Sequence, residues 1–401
     1  MKIVGYSLLA GLSVAFCYAA GATFLGGHAA HNTTQHVPWG LWVAFYIFFL
    51  GLSAGSYLLS SLIYVFGVKR LAPAGPVALL QALGCLVLGG FLIVADLGHP
   101  GRGYLVLTSF NPSSVMAWMG IGYIAYVAIV VAQLWLVLRP GMVARMQTSR
   151  LYRLLILGQT RVDAATTARD HRWLMILGII GIPVAIMVNA GVGSIFAVAK
   201  ARPGWFSGLF PIVFLISALA SGGALLAGLT ATFSRLPPAR RTPLVTDLIR
   251  FSFGILCFDA LLLSSELLVT LYGGIPSEAA AWRMVLGGPF WWVFWFFQLG
   301  LGFVVPGLLI ALPRTRASND ALGLAGLFIV IGIMGTRLNL VIPAQIRPVF
   351  EALPDAYHHA RNALGYAPSG VEWALALGTV AVGFWMFLIA KKTLPLEEIA
   401  A

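Results

Sequence analysis

WGLWVAFYIFFLGLSAGSYLLSSLIYVF, residues 39–66, runs its whole length without a charged side chain. At about 1.5 Å per residue, a helix of this length crosses a hydrocarbon core of about 30 Å. Nine further stretches read the same way, near 3–25, 77–95, 114–138, 173–196, 206–233, 249–271, 290–312, 321–342 and 371–390. The composition agrees: 60% of the 401 residues are hydrophobic and 9% charged, and the mean hydropathy is +0.91. That leaves too little polar surface to close a water-soluble globule. The prediction is an all-α integral membrane protein of about ten transmembrane helices, with a lipid bilayer as its solvent.

The formal net charge of +12 has a plain cause in orientation. Sorted by alternate loops, one side holds Lys2, Lys69, Arg70, the seven arginines from Arg139 to Arg172, Arg235, Arg240, Arg241, Arg250, Arg314, Arg316, Lys391 and Lys392. These are 18 of the 25 Lys and Arg, and the excess marks the cytoplasmic face. Both termini are therefore expected in the cytoplasm, with the chain in the inner membrane of a bacterium or archaeon and no role in nucleic-acid binding. The basic loop between Arg139 and Arg172 is expected to hold a short surface helix, with Leu151, Leu154, Leu155 and Leu157 alternating with Arg150 and Arg153, lying on anionic headgroups. Lys2, the apolar run after it and Ala19-Ala20-Gly21 resemble a secretory signal. The run continues past Ala22 to Leu25, and Phe16 stands before Cys17 where lipoprotein cleavage needs a small residue. The segment is expected to remain as the first helix.

An internal repeat appears when LSAGSYLLSSL, residues 52–62, is laid on LASGGALLAGL, residues 219–229. Five positions are identical and most others stay small. Small loop adjustments then align Asp96 with Glu266, Pro112 with Pro289, Trp118 with Trp295 and Arg139 with Arg316. Four helices separate the copies, so both take one orientation. Helices 2–5 and 6–9 are expected to form two parallel-related four-helix bundles, flanked by helices 1 and 10. The implied units are residues 1–35, 36–200, 201–342 and 343–401. Small residues such as Gly51, Ser53, Gly55, Gly222, Gly223 and Gly228 would let helices approach closely in lipid.

This topology gathers polar residues at one face of the membrane. His36, Pro38, Trp39 and Gly40 open helix 2 from the outer side, and helix 3 ends there at Asp96. The following Gly98-His99-Pro100-Gly101-Arg102-Gly103 must turn. Asn111 and Pro112 are expected to be the N-cap and first residue of helix 4. Quinol oxidation releases two electrons and two protons, and each proton needs an acceptor within hydrogen-bond reach of a ring oxygen. Interfacial carboxylates and histidines titrate near enough to neutrality to serve. His36, Asp96, His99 and Arg102 suit that chemistry, with Trp39, Trp42 and Trp118 walling the ring. An alternative has Asp96 pair with Arg102 to pin the turn, the tryptophans forming an interfacial belt.

Three motifs in this region carry a family resemblance: VPWGLWVAFYIFFLGLSAGSYLL from Val37, DLGHPGRGY from Asp96 and NPSSVMAWMG from Asn111. Together and in this order they resemble the NrfD/PsrC family, the polysulphide-reductase-type membrane subunits. The resemblance spans an eight-helix core, and the two flanking helices look like the ten-helix members of hydrogenase, sulphur-respiration and alternative complex III assemblies. It implies a menaquinone or related quinone site in the first bundle near the outer face, formed by His36, Trp39, Asp96, His99, Arg102, Asn111, Trp118 and Asn189. Asp96 and His99 would handle protons. Members commonly carry Arg after the DLG triplet, where this chain has His99, so the resemblance weighs on Asp96. Implied partners are a ferredoxin-like iron-sulphur subunit on the outer face and a catalytic molybdopterin, hydrogenase or multihaem cytochrome subunit.

Haem b needs axial ligands inside the membrane, yet His28, His31, His36, His99, His171, His358 and His359 fall in loops or at helix ends. Cys17, Cys85 and Cys257 are scattered along apolar helices and suggest no cluster motif. Neither haem nor an iron-sulphur cluster is expected in this chain. Asp259 falls mid-depth in helix 7, with Glu266 two turns farther out. Carboxylates at helix centres cost about 2.5 to 3.5 kcal/mol on insertion scales, so they normally pair or line a polar path. Asp259, Glu266 and Arg337 read either as a proton path or as a Glu266–Arg337 ion pair with Asp259 satisfied by a hydroxyl. The outer segment 343–370, with His358, His359 and Arg361, offers a docking surface. The functional expectation is a quinone-binding membrane subunit of a respiratory oxidoreductase, with proton translocation as an accompanying expectation. The rival from another class is a secondary transporter, which also has repeats and midplane acids, and Pro183 and Pro306 are its candidate kinks.

Overall fold

The computed structural model describes residues 2–147, 150–202, 204–346, 362 and 364–396. Among them are ten helices long and apolar enough to span a membrane, and no strand. They are α1 (Lys2–Gly26), α2 (Leu41–Tyr64), α3 (Gly75–Asp96), α4 (Val115–Ala144), α5 (Ala164–Ala197), α6 (Phe210–Phe233), α7 (Pro238–Tyr272), α8 (Val293–Ala311), α9 (Asn319–Val341) and α10 (Gly370–Thr393). The chain is an all-α multi-pass membrane protein. The outer segment around His358, His359 and Arg361 lies outside the described residues.

Several helices outrun their apolar stretches because polar caps fix their true ends. α5 begins nine residues before its apolar run: the Asp163 carboxylate accepts the Thr166 N–H at 2.7 Å. Hydrogen bonds from Thr166 hold that carboxyl below its ordinary pKa, so it stays charged beside the helix N-terminus. α7 likewise starts at Pro238, whose missing N–H costs nothing in a first turn. The short surface helix of the basic loop is Arg150–Leu155, and the Trp135 indole N–H donates to the Leu155 carbonyl at 2.7 Å.

The cap of α4 is a correction. Asn111 and Pro112 do not begin it; Ser114 does, accepting the Ala117 N–H at 3.3 Å. The Asn111 side chain instead accepts the Ser113 N–H at 3.0 Å, a local turn that competes with helix and delays its start by three residues.

α8 departs from regular geometry. Val293–Val304 is a π-helix, and only Val305–Ala311 returns to α, with Pro306 in its first turn. Pro183 lies within an unbroken α5.

α2 sits at the centre, buried along nearly all its length, and packs against α3, α5, α6 and α9. The helices α2 to α5 contact one another in a ring, and α6 to α9 form a looser one in which α8 meets α7 chiefly through Val305–Ala311. α1 packs on α10, which also touches α2 and α3. The rings meet where α2 crosses α6, and there the two aligned glycines of the repeat face each other. A Cβ on Gly222 would fall 2.6 Å from the Gly55 carbonyl carbon, and one on Gly55 would collide with the Ala218 carbonyl. The Gln81 amide locks the crossing by donating to Ser56 Oγ at 2.6 Å and to the Gly222 carbonyl at 2.9 Å. With no hydrophobic drive between helices in lipid, this close approach and its buried hydrogen bonds supply the cohesion.

A Gly222→Val substitution should therefore lower stability by at least about 1–3 kcal/mol through overpacking against backbone. Gly84→Ala, where a Cβ meets nothing within 4 Å, should not. Melting temperatures in detergent compare the two, and an unchanged Gly222→Val variant would contradict the crossing.

Candidate functional site

The start of α2 is held by residues from distant loops. The Arg202 guanidinium donates to the His36 carbonyl and to the Gln345 carbonyl, each at 2.9 Å. The Gln345 amide in turn accepts the Trp39 N–H at 3.1 Å and donates to the Trp39 carbonyl at 2.7 Å. Trp39 stacks on Trp205 with centroids 5.3 Å apart and meets Phe196 edge-on at 5.5 Å. The Trp205 indole N–H donates to the Leu340 carbonyl at 2.7 Å. His36 is buried, and its Nε2 has no hydrogen-bond partner among the described residues. Trp42 is buried with its ring 3.9 Å from that of His31. Trp118 is exposed, edge-on to Phe110 at 5.0 Å, and its indole N–H donates to the Pro112 carbonyl at 2.9 Å. The three expected wall tryptophans thus go to three different neighbours.

Asp96 is half-buried at the last position of α3. Its carboxylate lies within electrostatic reach of two hydroxyls, those of Tyr46 on α2 and Tyr366 before α10. The turn after it is closed by backbone, Arg102 N–H to His99 O at 2.9 Å and Gly103 N–H to Pro100 O at 3.0 Å. His99, Arg102 and Asn111 are exposed on this rim. Between them Tyr104, Leu105, Val106 and Leu107 are exposed apolar side chains, and the short helix Leu105–Thr108 rests on α4. Asp96 thus ends α3 within electrostatic reach of two phenols, of which Tyr366 donates its hydrogen bond to Glu372, and His99 and Arg102 are exposed in the turn that follows.

Tyr366 and Glu372 escaped the sequence reading. The Glu372 carboxylate is buried and accepts three donors: the Tyr366 hydroxyl at 2.6 Å, the Ser369 N–H at 2.8 Å and the Asn32 N–H at 3.1 Å. The Leu41 N–H, an orphan donor at the start of α2, bonds the Tyr366 hydroxyl at 2.7 Å. Burial first, then the Glu372 carboxylate, then Asp96, push the Tyr366 pKa above its ordinary value, so the phenol remains a donor. One signal was readable: Ser369-x-x-Glu372 is a capping box at the start of α10, and both of its bonds form.

The polar residues of the second ring are arranged otherwise than as a Glu266–Arg337 pair. Arg337 is fully buried; its Nη2 donates to the Ser217 hydroxyl, and its guanidinium lies over Phe214, 4.2 Å from the centroid. The carboxylate in its electrostatic reach is Asp259, itself buried. Glu266 is half-buried and makes no hydrogen bond or ion pair among the described residues. Asn189 is buried on α5 and donates to the Phe214 carbonyl at 2.9 Å.

Comparison with known proteins matches residues 29–349 to the family model described as polysulphide reductase, NrfD. The chain is 37% identical over 374 residues to a selenate reductase subunit of Mesobacillus selenatarsenatis, covering 90% of this chain and 87% of that one. It is 30% identical over 380 residues to a putative dimethyl sulfoxide reductase membrane subunit of Halobacterium salinarum, covering 90% and 84%. It is 26% identical over 370 residues to the Hdr-like menaquinol oxidoreductase integral membrane subunit of Archaeoglobus fulgidus, covering 90% and 86%.

Glu372→Ala strips the acceptor from three donors, each worth about 1–3 kcal/mol when left buried and unpaired. The α2–α10 junction should loosen, read as faster proteolysis between α9 and α10. Wild-type proteolysis rates would refute this role.

Proposed function

Because the chain belongs to the polysulphide reductase NrfD family, we propose that it is the quinone-reactive membrane subunit of a respiratory reductase complex. It exchanges electrons between a menaquinol-type quinol and an iron-sulphur subunit seated over the Asp96 end, which in turn serves a catalytic subunit. The relatives' names support this reading, since they describe subunits of selenate and dimethyl sulfoxide reductases and of a menaquinol oxidoreductase. The observation that carries it is a half-buried carboxylate, Asp96, ending a membrane helix within electrostatic reach of the Tyr46 and Tyr366 hydroxyls and followed by an exposed apolar turn.

Quinol oxidation supplies two electrons and two protons. The Asp96 carboxylate takes up the two protons one after the other, and exposed His99 passes each to water before the next arrives. Arg102, exposed in the same turn, adds positive charge to the proton-releasing side. Trp118 offers an aromatic face at the rim. His36, Trp39, Asn111 and Asn189 shape the surrounding backbone: Asn189 through the Phe214 carbonyl, Asn111 through its turn, and His36 and Trp39 through the clamp at the start of α2. The rim faces the periplasm and both termini face the cytoplasm, in keeping with the loop charges. In the second ring, Asp259 and Arg337 provide the buried ionisable groups of a proton path, with Glu266 two turns along the same helix. A transporter is the weaker reading: its discontinuous helices come in corresponding pairs. Here α8 has an irregular stretch, whereas its repeat partner α4 is regular throughout.

Asp96→Asn should lower quinol-dependent electron transfer by about 10²–10⁴-fold while partner subunits still co-purify; wild-type turnover would exclude the assigned role. Asp259→Asn should abolish proton uptake in proteoliposomes with electron transfer retained, and unchanged coupling would remove the proton path.

A further inference from the structure

The redox reading takes Asp259 and Arg337 as proton carriers and leaves unused the space beside them, between α7, α8 and α9. A cavity of about 340 Å³ opens there, walled by Leu256, Leu263 and Leu267 of α7, Phe294 and Phe303 of α8 and Ile333 of α9. A smaller pocket of about 50 Å³ adjoins it, sharing Leu263, Trp282, Gln298 and Thr336, and reaches Arg337. The gap has a local cause. Gly302 and Gly332 draw α8 onto α9 so closely that a Cβ on Gly302 would fall 2.5 Å from the Gly332 Cα. Pulled to that side and wound as a π-helix, Val293–Val304 scarcely touches α7. Phe303 and Trp282 add aromatic faces to the lining, and Phe303 packs on Phe253 with ring centroids 5.5 Å apart. Leu261, a lining residue in the midst of the α7 span, is 62% exposed, so the cavity opens sideways into lipid.

At the polar end, where the two pockets adjoin, Asp259 lines the larger and Arg337 and Asn339 line the smaller. Asp259 Oδ1, Arg337 Nε and Nη1 and Asn339 Oδ1 are buried and unpartnered among the described residues. Asp259 and Arg337 are near enough to attract each other, yet they form no ion pair within 4.0 Å. A donor for the carboxylate and an acceptor for the guanidinium are both missing. Water can meet the polar end, but it leaves the Leu, Phe and Ile walls that bound the rest of the cavity without a partner. A phospholipid headgroup is a poor fit as well: Asp259 is 13 residues, about 20 Å, from the outer end of α7, far below headgroup depth.

We propose that this cavity is a second, lateral ligand site, admitting from the bilayer a neutral ring-bearing isoprenoid lipid of the quinone class. A ring hydroxyl donates to Asp259 and a ring oxygen accepts from Arg337, while the Leu and Phe walls hold the ring and tail. The volume lies in the range of small-molecule pockets, about 300–1,000 Å³. Quinone identity rests on the reading given above; the site and its lateral mouth do not.

The test is photolabelling of the complex in native membranes with a short-chain naphthoquinone carrying a diazirine on its tail, the adducts being mapped by mass spectrometry. Adducts within residues 256–267 or 294–303 are expected, displaced by the same naphthoquinone without the diazirine. Leu263→Trp, which fills the cavity, should reduce them at least about tenfold and leave adducts near Tyr46 and Tyr104 unchanged. Leu263→Phe serves if the tryptophan variant fails to assemble. The site is refuted by the absence of displaceable adducts on these peptides, by adducts indifferent to Leu263 substitution, or by labelling that only a diazirine phospholipid achieves. Loss of adducts near Tyr46 and Tyr104 alone would instead count against the redox site.

Discussion

Two glycines in backbone contact set the terms for everything else in this molecule. Gly55 and Gly222 occupy the same place in two copies of one sequence pattern, and the crossing of α2 over α6 admits no side chain on either. In water such a contact would be a minor packing detail. In lipid, where apolar surface is equally content against a neighbour or an acyl chain, closeness of approach is what makes helices adhere. The Gln81 bridge to Ser56 and Gly222 adds buried hydrogen bonds that have no competitor in the surrounding hydrocarbon.

From that crossing the two halves of the chain are tied together at the Asp96 end. Arg202 and Gln345, contributed by the α5–α6 connection and the short helix Pro343–Ile346 that follows α9, grip the backbone at His36 and Trp39. A row of rings then runs from Trp39 through Trp205 and Phe196 to Phe214, on which the Arg337 guanidinium rests. The carboxylate end of the first ring and the buried cation of the second are thus joined by continuous packing.

Much of the fold was legible because hydropathy reports directly on the bilayer. All ten spans were found, and the repeat pointed to the small residues that now meet at the crossing. Helix ends were less legible: Asp163 and Pro238 start their helices well before the apolar runs, and the Asn111 turn competes with helix for the same backbone groups. The π-helical course of VFWFFQLGLGFV has no pattern that separates it from an ordinary apolar helix; it follows from how tightly Gly302 seats on Gly332. At the site, Asp96 stood out as a carboxylate ending an apolar run. Its neighbours did not: Tyr46 reads as one more aromatic in a buried helix, and Tyr366 arrives from 270 residues away, brought by α10. Arg337 illustrates the same limit, since counting residues to equal depth suggested Glu266, whereas the side chain turns to Ser217 and Asp259.

The central claim is that the Asp96 carboxylate meets a quinone ring beneath a cluster-bearing partner. A density map of the complex purified from its membrane with naphthoquinone added measures this directly. A ring oxygen is expected within about 2.6–3.2 Å of the Asp96 carboxylate, with an iron-sulphur subunit seated over His99 and Arg102. A map with Asp96 enclosed by protein alone, and the partner docked at the opposite face, would contradict it.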